Sequence, residues 1–237
     1  MMNISDQVAL VTGANRGIGR EFVRELKRRG VARVYATARN PRAVDIAGVE
    51  VLHLDLLDHD SIARAAEEAS DVTLLINNAG VQAGGTLVGS DLAELRSELD
   101  THLFGTLDVI RSFAPVLAAN GGGAITTVLS ALSWFSFPGA APYAVAKAAE
   151  WNMVNGVRLE LAEHGTLVQG VHLGAADTDI SAGYDGPKIH PAEVARATLD
   201  GLEARRVEVV VDDWSRTVKD ALAHDPALFY AGAFQTV

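Results

Sequence analysis

Short runs of consecutive apolar residues alternate along the chain with longer stretches in which apolar residues recur every three or four positions. The short runs predict strands. They are Gln7 to Thr12, Arg33 to Ala38, Val49 to Leu54, Val72 to Asn77, Ala124 to Leu129, Leu167 to His172 and Val207 to Val211. The helical spacing predicts helices over Gly17 to Arg29, His59 to Ala69, Pro142 to His164 and Pro191 to Ala204. Asp91 to Ala119 reads as one long helix or two, and Pro41 to Gly48 has room for at most two helical turns. A further helix is expected over Trp214 to His224, ahead of Phe229, Tyr230 and Phe234. Lys27, Arg28 and Arg29 suit the negative C-terminal end of the first helix, and Gly30 can cap it.

Seven strand-like runs interleaved with helices predict an α/β fold. Most of the runs lack polar alternation, so they read as buried on both faces, as parallel strands are. Right-handed crossovers then place helices on both faces of one open, doubly wound sheet of seven parallel strands. No linker or low-complexity stretch divides the chain, so residues 1–237 are expected to form one domain of Rossmann type. In such sheets ligands bind beyond the carboxyl ends of the strands, where the strand order switches.

Composition narrows the function classes. Thirty acidic against twenty basic residues give a formal charge of −10, which disfavours a nucleic-acid partner. Without cysteine there is no thiolate nucleophile, disulfide scaffold or cysteine-bound zinc. The seven histidines show no H-x-x-x-H or H-E-x-x-H spacing, so no metal site is expected. No apolar run approaches the roughly 18 residues that cross a bilayer, and no secretory leader is visible. A cytoplasmic protein without a membrane partner is the expectation.

Between the first strand and the first helix lies Thr12-Gly13-Ala14-Asn15-Arg16-Gly17-Ile18-Gly19. Gly13 can take a positive φ in a tight turn, Gly17 lets the backbone approach a pyrophosphate, and Gly19 permits close packing of helix on strand. The helix N-terminus adds N–H donors and positive potential. The second strand ends in Ala38-Arg39, where a dinucleotide fold often carries an acid for the ribose 2′-hydroxyl. Arg39, and Arg16 within the glycine turn, instead suit a 2′-phosphate, which favours NADP(H) over NAD(H).

Tyr143 and Lys147 are four residues apart on a predicted helix, hence on one face. A neighbouring ammonium is expected to lower the tyrosine pKa and fit it as a general acid for a ketone oxygen, or a base for an alcohol. Ser130 closes the fifth strand at its carboxyl end, where its hydroxyl can donate to a substrate carbonyl.

In these features together the chain resembles the short-chain dehydrogenase/reductase family, from about Gln7 to Arg205. Thr12 to Gly19 matches the TGxxxGIG turn, Asp55 with Leu56 the acid after strand three, and Asn77-Asn78-Ala79-Gly80 the NNAG segment. Ser130 precedes Tyr143 by the usual thirteen residues, and Tyr143-x-x-x-Lys147 follows. The resemblance implies that Tyr143 exchanges the proton, Lys147 binds the nicotinamide ribose and Ser130 positions the carbonyl. Asp55 would contact adenine. Asn77, Ala79 and Gly80 would line the adenine-ribose side.

Two departures stand out. His102, in Thr101-His102-Leu103-Phe104-Gly105, occupies the position of an asparagine that holds a water in the family's proton relay. An imidazole can hold water and accept a proton near neutral pH. After strand six, Leu173-Gly174-Ala175-Ala176-Asp177-Thr178 keeps the family's glycine and threonine but lacks its proline, which frees φ at that point. Gly174, Ala176 and Thr178 would meet the carboxamide and phosphates. Residues 179–190 would form a short substrate lid containing Tyr184, and one or two of Trp134, Phe135 and Phe137 are expected to line an apolar pocket.

The expected activity is NADP(H)-dependent reduction of a small-molecule ketone or aldehyde, or the reverse. A non-catalytic NADP-binding sensor or scaffold, and an imine or enone reductase, are the alternatives. The resemblance also implies a homodimer or homotetramer, for which Ala146, Ala149, Val154 and Val157 supply a candidate apolar seam.

Overall fold

The computed structural model describes residues 2–234. Seven strands form one parallel sheet: β1 (Val8–Val11), β2 (Arg33–Ala38), β3 (Glu50–His53), β4 (Leu74–Asn77), β5 (Gly123–Val128), β6 (Thr166–His172) and β7 (Glu208–Val210). Their order across the sheet is β3-β2-β1-β4-β5-β6-β7. The order reverses between β1 and β4, so the loops after these two strands part and leave a crevice.

The helices are α1 (Gly17–Arg28), α2 (His59–Glu68), α3 (Leu92–Leu99), α4 (Thr106–Ala119), α5 (Ala141–Glu160), α6 (Pro191–Glu203), α7 (Asp213–Ala221) and α8 (Pro226–Phe234). The long stretch expected as one helix or two is a single helical run, in which a π-helical segment, Asp100–Gly105, joins α3 to α4. Pro41 to Gly48 contains only a 3-10 turn, Pro41–Ala43.

Side chains alternate across each strand and so feed two cores. Ala9 and Val11 of β1 pack with Phe22, Val23 and Leu26 of α1 and with Val194, Leu199 and Leu202 of α6. Leu10 points the other way, among Ile62 of α2, Val109, Phe113 and Leu117 of α4, and Val154 and Val157 of α5. A valine, leucine, isoleucine or phenylalanine side chain wholly removed from water contributes about 1.5–3 kcal/mol. The expectation of strands buried on both faces fails at β3. It is an edge strand, and Val51 is exposed on one of its faces while Leu52 packs toward α2 on the other.

The candidate seam also needs correction. Ala146, Val154 and Val157 are buried within the chain, the two valines in the core against the sheet, and are unavailable to a second copy. A third, aromatic cluster forms beyond the sheet. There Phe135 packs with Phe229 and Phe234 of α8, and the Tyr230 hydroxyl accepts the Ser136 N–H at 3.0 Å.

Candidate active site

The switch in strand order brings the glycine turn and the Asn77-Asn78-Ala79-Gly80 segment side by side. Thr12, buried at the end of β1, accepts the N–H groups of Asn78 and Ala79 on its Oγ1 at 2.9 and 3.0 Å. The Asn78 amide donates to the carbonyls of Thr12 and Gly13 at 2.9 and 3.3 Å. Gly13 and Gly17 take φ of +66° and +53°, the left-handed region that glycine enters without strain. A Cβ on Gly19 would lie 2.2 Å from the Gly13 carbonyl oxygen, so α1 starts where only glycine fits. The first N–H groups of α1 have no side-chain cap, and Gly17 and Ile18 face the cleft.

One cavity of about 1000 Å³ runs from this turn to Tyr143. Its wall includes Gly13, Asn15, Arg16, Gly17 and Ile18; Arg39, Asp55 and Leu56; Ala79 and Gly80; Gly174, Ala176 and Thr178; and His102, Ser130, Tyr143 and Lys147. Two residues expected in the site do not line it. Gly19 lies behind the turn and acts through packing. Asn77, the last residue of β4, is buried beside Thr127 of β5, and Asn78 takes its place on the wall.

The shape and donors of this cleft fit a dinucleotide. Uncapped N–H groups and a glycine cradle stand at one end. Arg39 lies exposed on the cleft wall where β2 ends, and the tyrosine stands at the far end. Arg16 pairs with Asp179 at 2.8 Å across the cleft mouth, a contact between two exposed side chains that holds little energy.

At the chemical end, Lys147 is held by two acceptors, the Val128 carbonyl at 2.9 Å and the Glu150 carboxylate at 2.6 Å. Burial disfavours its charge, but Glu150, and then Tyr143, more than compensate, so its pKa lies above the ordinary lysine value. Tyr143 differs from the sequence expectation. Lys147 and the Ser130 hydroxyl do draw its pKa down, yet burial outweighs them, with Glu150 and Glu98 adding to it, and the net direction is up.

Ser130 is fixed at the end of β5. Its Oγ accepts the Leu132 N–H at 3.1 Å, and its carbonyl accepts from His172 Nδ1 at 3.1 Å. His172 is stacked on Trp134, with ring centroids 3.8 Å apart. Burial pushes its pKa down to about 4, so it is a neutral prop. Trp134 is thus spent on the core side, whereas Phe135 and Phe137 line the cleft with Ile180, Tyr184 and Trp214.

His102 sits in the π-helical segment and closes the site floor. Its Nε2 lies 2.8 Å from the Val81 carbonyl, which can only accept, so that nitrogen carries the proton. Its Nδ1 has no hydrogen-bond partner. The ring meets Tyr143 edge-on with centroids 5.3 Å apart. Gly80 is required beside it, because a Cβ there would lie 2.5 Å from the imidazole. Sequence reasoning missed Glu98 and Glu150, although each stands one helical turn from a residue it had selected.

The loop after β6 is tied down despite lacking a proline. The Ala131 N–H reaches the Leu173 carbonyl at 2.8 Å, and the Gly174 N–H reaches Asp212 at 2.7 Å. A single bridge, Ala176 to Ile189, clips the two ends of the lid segment together.

The short chain dehydrogenase family model matches residues 7–186. A short chain dehydrogenase from Burkholderia cenocepacia, solved in complex with NADP, superposes with a TM-score of 0.94 at 37% identity, over 98% of this chain and 99% of that one. A short chain dehydrogenase/reductase from Burkholderia phymatum, solved with NAD, has a TM-score of 0.82 at 22% identity, over 95% and 98% of the two chains, and speaks to the fold alone. An uncharacterized oxidoreductase of Staphylococcus saprophyticus is 25% identical over 219 residues, 86% of this chain and 94% of its own length.

Proposed function

The chain belongs to the short-chain dehydrogenase family of oxidoreductases, and from that premise we propose that it reduces the carbonyl group of an apolar ketone or aldehyde with NADPH, and runs the reverse reaction with NADP⁺. The observation that carries this reading is the convergence of Ser130, Tyr143 and Lys147 on one end of a cleft whose other end is a glycine turn at an uncapped helix N-terminus.

When bound, the nicotinamide supplies the hydride for the carbonyl carbon. Tyr143 gives its hydroxyl proton to the carbonyl oxygen, which becomes the alcohol, and the phenolate left behind is stabilised by Lys147. Ser130 donates a hydrogen bond to the same oxygen and holds it against Tyr143. His102 stands beside Tyr143 with an unpartnered Nδ1, and we assign it to proton resupply in place of the asparagine of related chains. Asn15, Gly17 and Ile18 would cradle the pyrophosphate, Asp55 and Leu56 the adenine, and Gly174, Ala176 and Thr178 the nicotinamide side. Arg39 and Arg16 favour NADP(H) over NAD(H), Arg16 by exchanging Asp179 for the 2′-phosphate.

Phe135, Phe137, Ile180, Tyr184 and Trp214 make the substrate end apolar and largely aromatic, which favours a bulky hydrophobic carbonyl compound. The test is NADPH consumption across a panel of aliphatic and aromatic aldehydes, ketones and diketones. Turnover is expected to be fastest with aromatic members. Bound NADPH that no carbonyl oxidises would overturn the reading.

A further inference from the structure

Two carboxylates lie beneath the catalytic pair, and the reaction as described leaves them unused. Glu98 on α3 is 0% exposed and Glu150 on α5 is 2% exposed. Charged side chains are seldom buried this deeply without partners, and a buried ion pair is weak support for stability in itself. These two have partners, and the partners are the site. Glu150 stands one turn beyond Lys147, with Oε2 2.6 Å from Nζ, and its Oε1 accepts from Thr106 Oγ1 of α4 at 3.3 Å. Glu98 stands one turn before His102, with Oε2 3.3 Å from Nε2, and its Oε1 accepts the Ala83 N–H. His102 Nδ1 lies 3.8 Å from Glu150 Oε2. Two close pairs, Glu98 with His102 and Glu150 with Lys147, therefore stand beside the Tyr143 ring, 3.8 Å apart between His102 Nδ1 and Glu150 Oε2. The remaining titratable neighbour of Lys147 is His172 on β6, which is neutral.

We propose that Glu150, seconded by Glu98, is a positioning residue for the proton transfer: it fixes the Lys147 ammonium and offsets its charge, so that Tyr143 stays protonated to a higher pH than a lysine alone would allow. The proposal rests on the reading of Tyr143 as the proton donor. The electrostatics follow from placement. An ammonium beside a phenol favours the phenolate, whereas a carboxylate in contact with that ammonium cancels much of its field and itself repels a phenolate. The shifts at Tyr143 and Lys147 run in the directions this requires.

Glu150→Gln removes the charge and keeps the shape and the hydrogen-bonding oxygen. Two readouts follow Tyr143 in it. One is the pH at which carbonyl reduction falls on the alkaline side. The other is the phenolate absorbance of Tyr143, taken as the difference from a matching Tyr143→Phe protein, which needs no substrate. Both are expected to move down by about one pH unit, the order produced by a charge at this range, with NADPH binding retained. Glu98→Gln is expected to move both in the same direction by less. A phenolate titration of E150Q that coincides with wild type overturns the proposal. Should E150Q fail to fold, E98Q decides, and an unmoved titration there overturns it. Failure of the carbonyl reading looks different: wild type then oxidises no NADPH, while the phenolate titrations still answer for Glu150.

Discussion

At the scale of single residues, Tyr143 shows how far the chain can be read and where it stops. The Tyr143–Lys147 spacing on one helix face was legible, because four residues make one turn. The balance of charges around the pair was not. Glu98 and Glu150 reach the site only because the π-helical segment and α5 lie against each other, and no window of sequence contains that packing. Their spacing from His102 and Lys147 was a usable signal, since i+3 and i+4 neighbours share a face. Arg39 belongs to this scale as well. It is exposed at the end of β2, at the rim of the cleft. Arg39→Ala is expected to raise the KM for NADPH by on the order of tenfold and leave that for NADH unchanged, as loss of one charged hydrogen bond would do. Initial rates with each cofactor measure it, and equal effects on both would contradict the role given to Arg39.

At the scale of elements, the sheet and most helices followed from apolar periodicity, because parallel strands buried on both faces have no polar alternation to disguise them. The exceptions have physical causes. β3 is an edge strand, with Leu52 packed toward α2 on one face and Val51 exposed on the other. The π-helical segment Asp100–Gly105, Asp-Thr-His-Leu-Phe-Gly, has apolar spacing that fits an ordinary helix, and its form goes with a close contact. A Cβ on Gly105 would lie 2.6 Å from the Leu56 carbonyl, so this turn rests directly on the loop after β3. Such segments frequently mark functional positions, and this one carries His102. α8 went unpredicted because its nine residues carry no polar face to set a period. The turn before α1 gives a sharp test. Gly19→Ala drives a methyl into the Gly13 carbonyl and the Asn78 amide. It is expected to destabilise the fold by about 1–3 kcal/mol, the usual penalty for overpacking, and to weaken NADPH binding. Gly156→Ala on α5, where a Cβ meets nothing within 4 Å, is expected to stabilise by roughly 0.5–1 kcal/mol. Urea midpoints compare the two, and similar midpoints would contradict the packing described for the turn.

At the scale of the whole molecule, topology makes the site. The reversal between β1 and β4 opens the cleft, the start of α1 lines one end of it, and the segment after β5 and the start of α5 line the other. Most of this was legible because the motifs come in chain order and the winding rules fix where that order leads. Assembly is an expectation from family resemblance, and three of the four residues chosen for a seam, Ala146, Val154 and Val157, are buried within the chain itself. The apolar side chains that α5 and the π-helical segment leave outside are others: Val145, Leu159 and Phe104, the last 58% exposed. We propose at least a dimer, and light scattering at micromolar concentration is expected to give twice the 25.0 kDa chain mass or more; a monomer would contradict it. The central claim is that Tyr143 passes the proton in carbonyl reduction by NADPH, and Tyr143→Phe tests it most directly. With the best carbonyl substrate, the variant is expected to lose turnover by at least about a hundredfold, the contribution of a positioned general acid, while binding NADPH as wild type does. A variant that binds NADPH and still turns over at the wild-type rate would contradict the account.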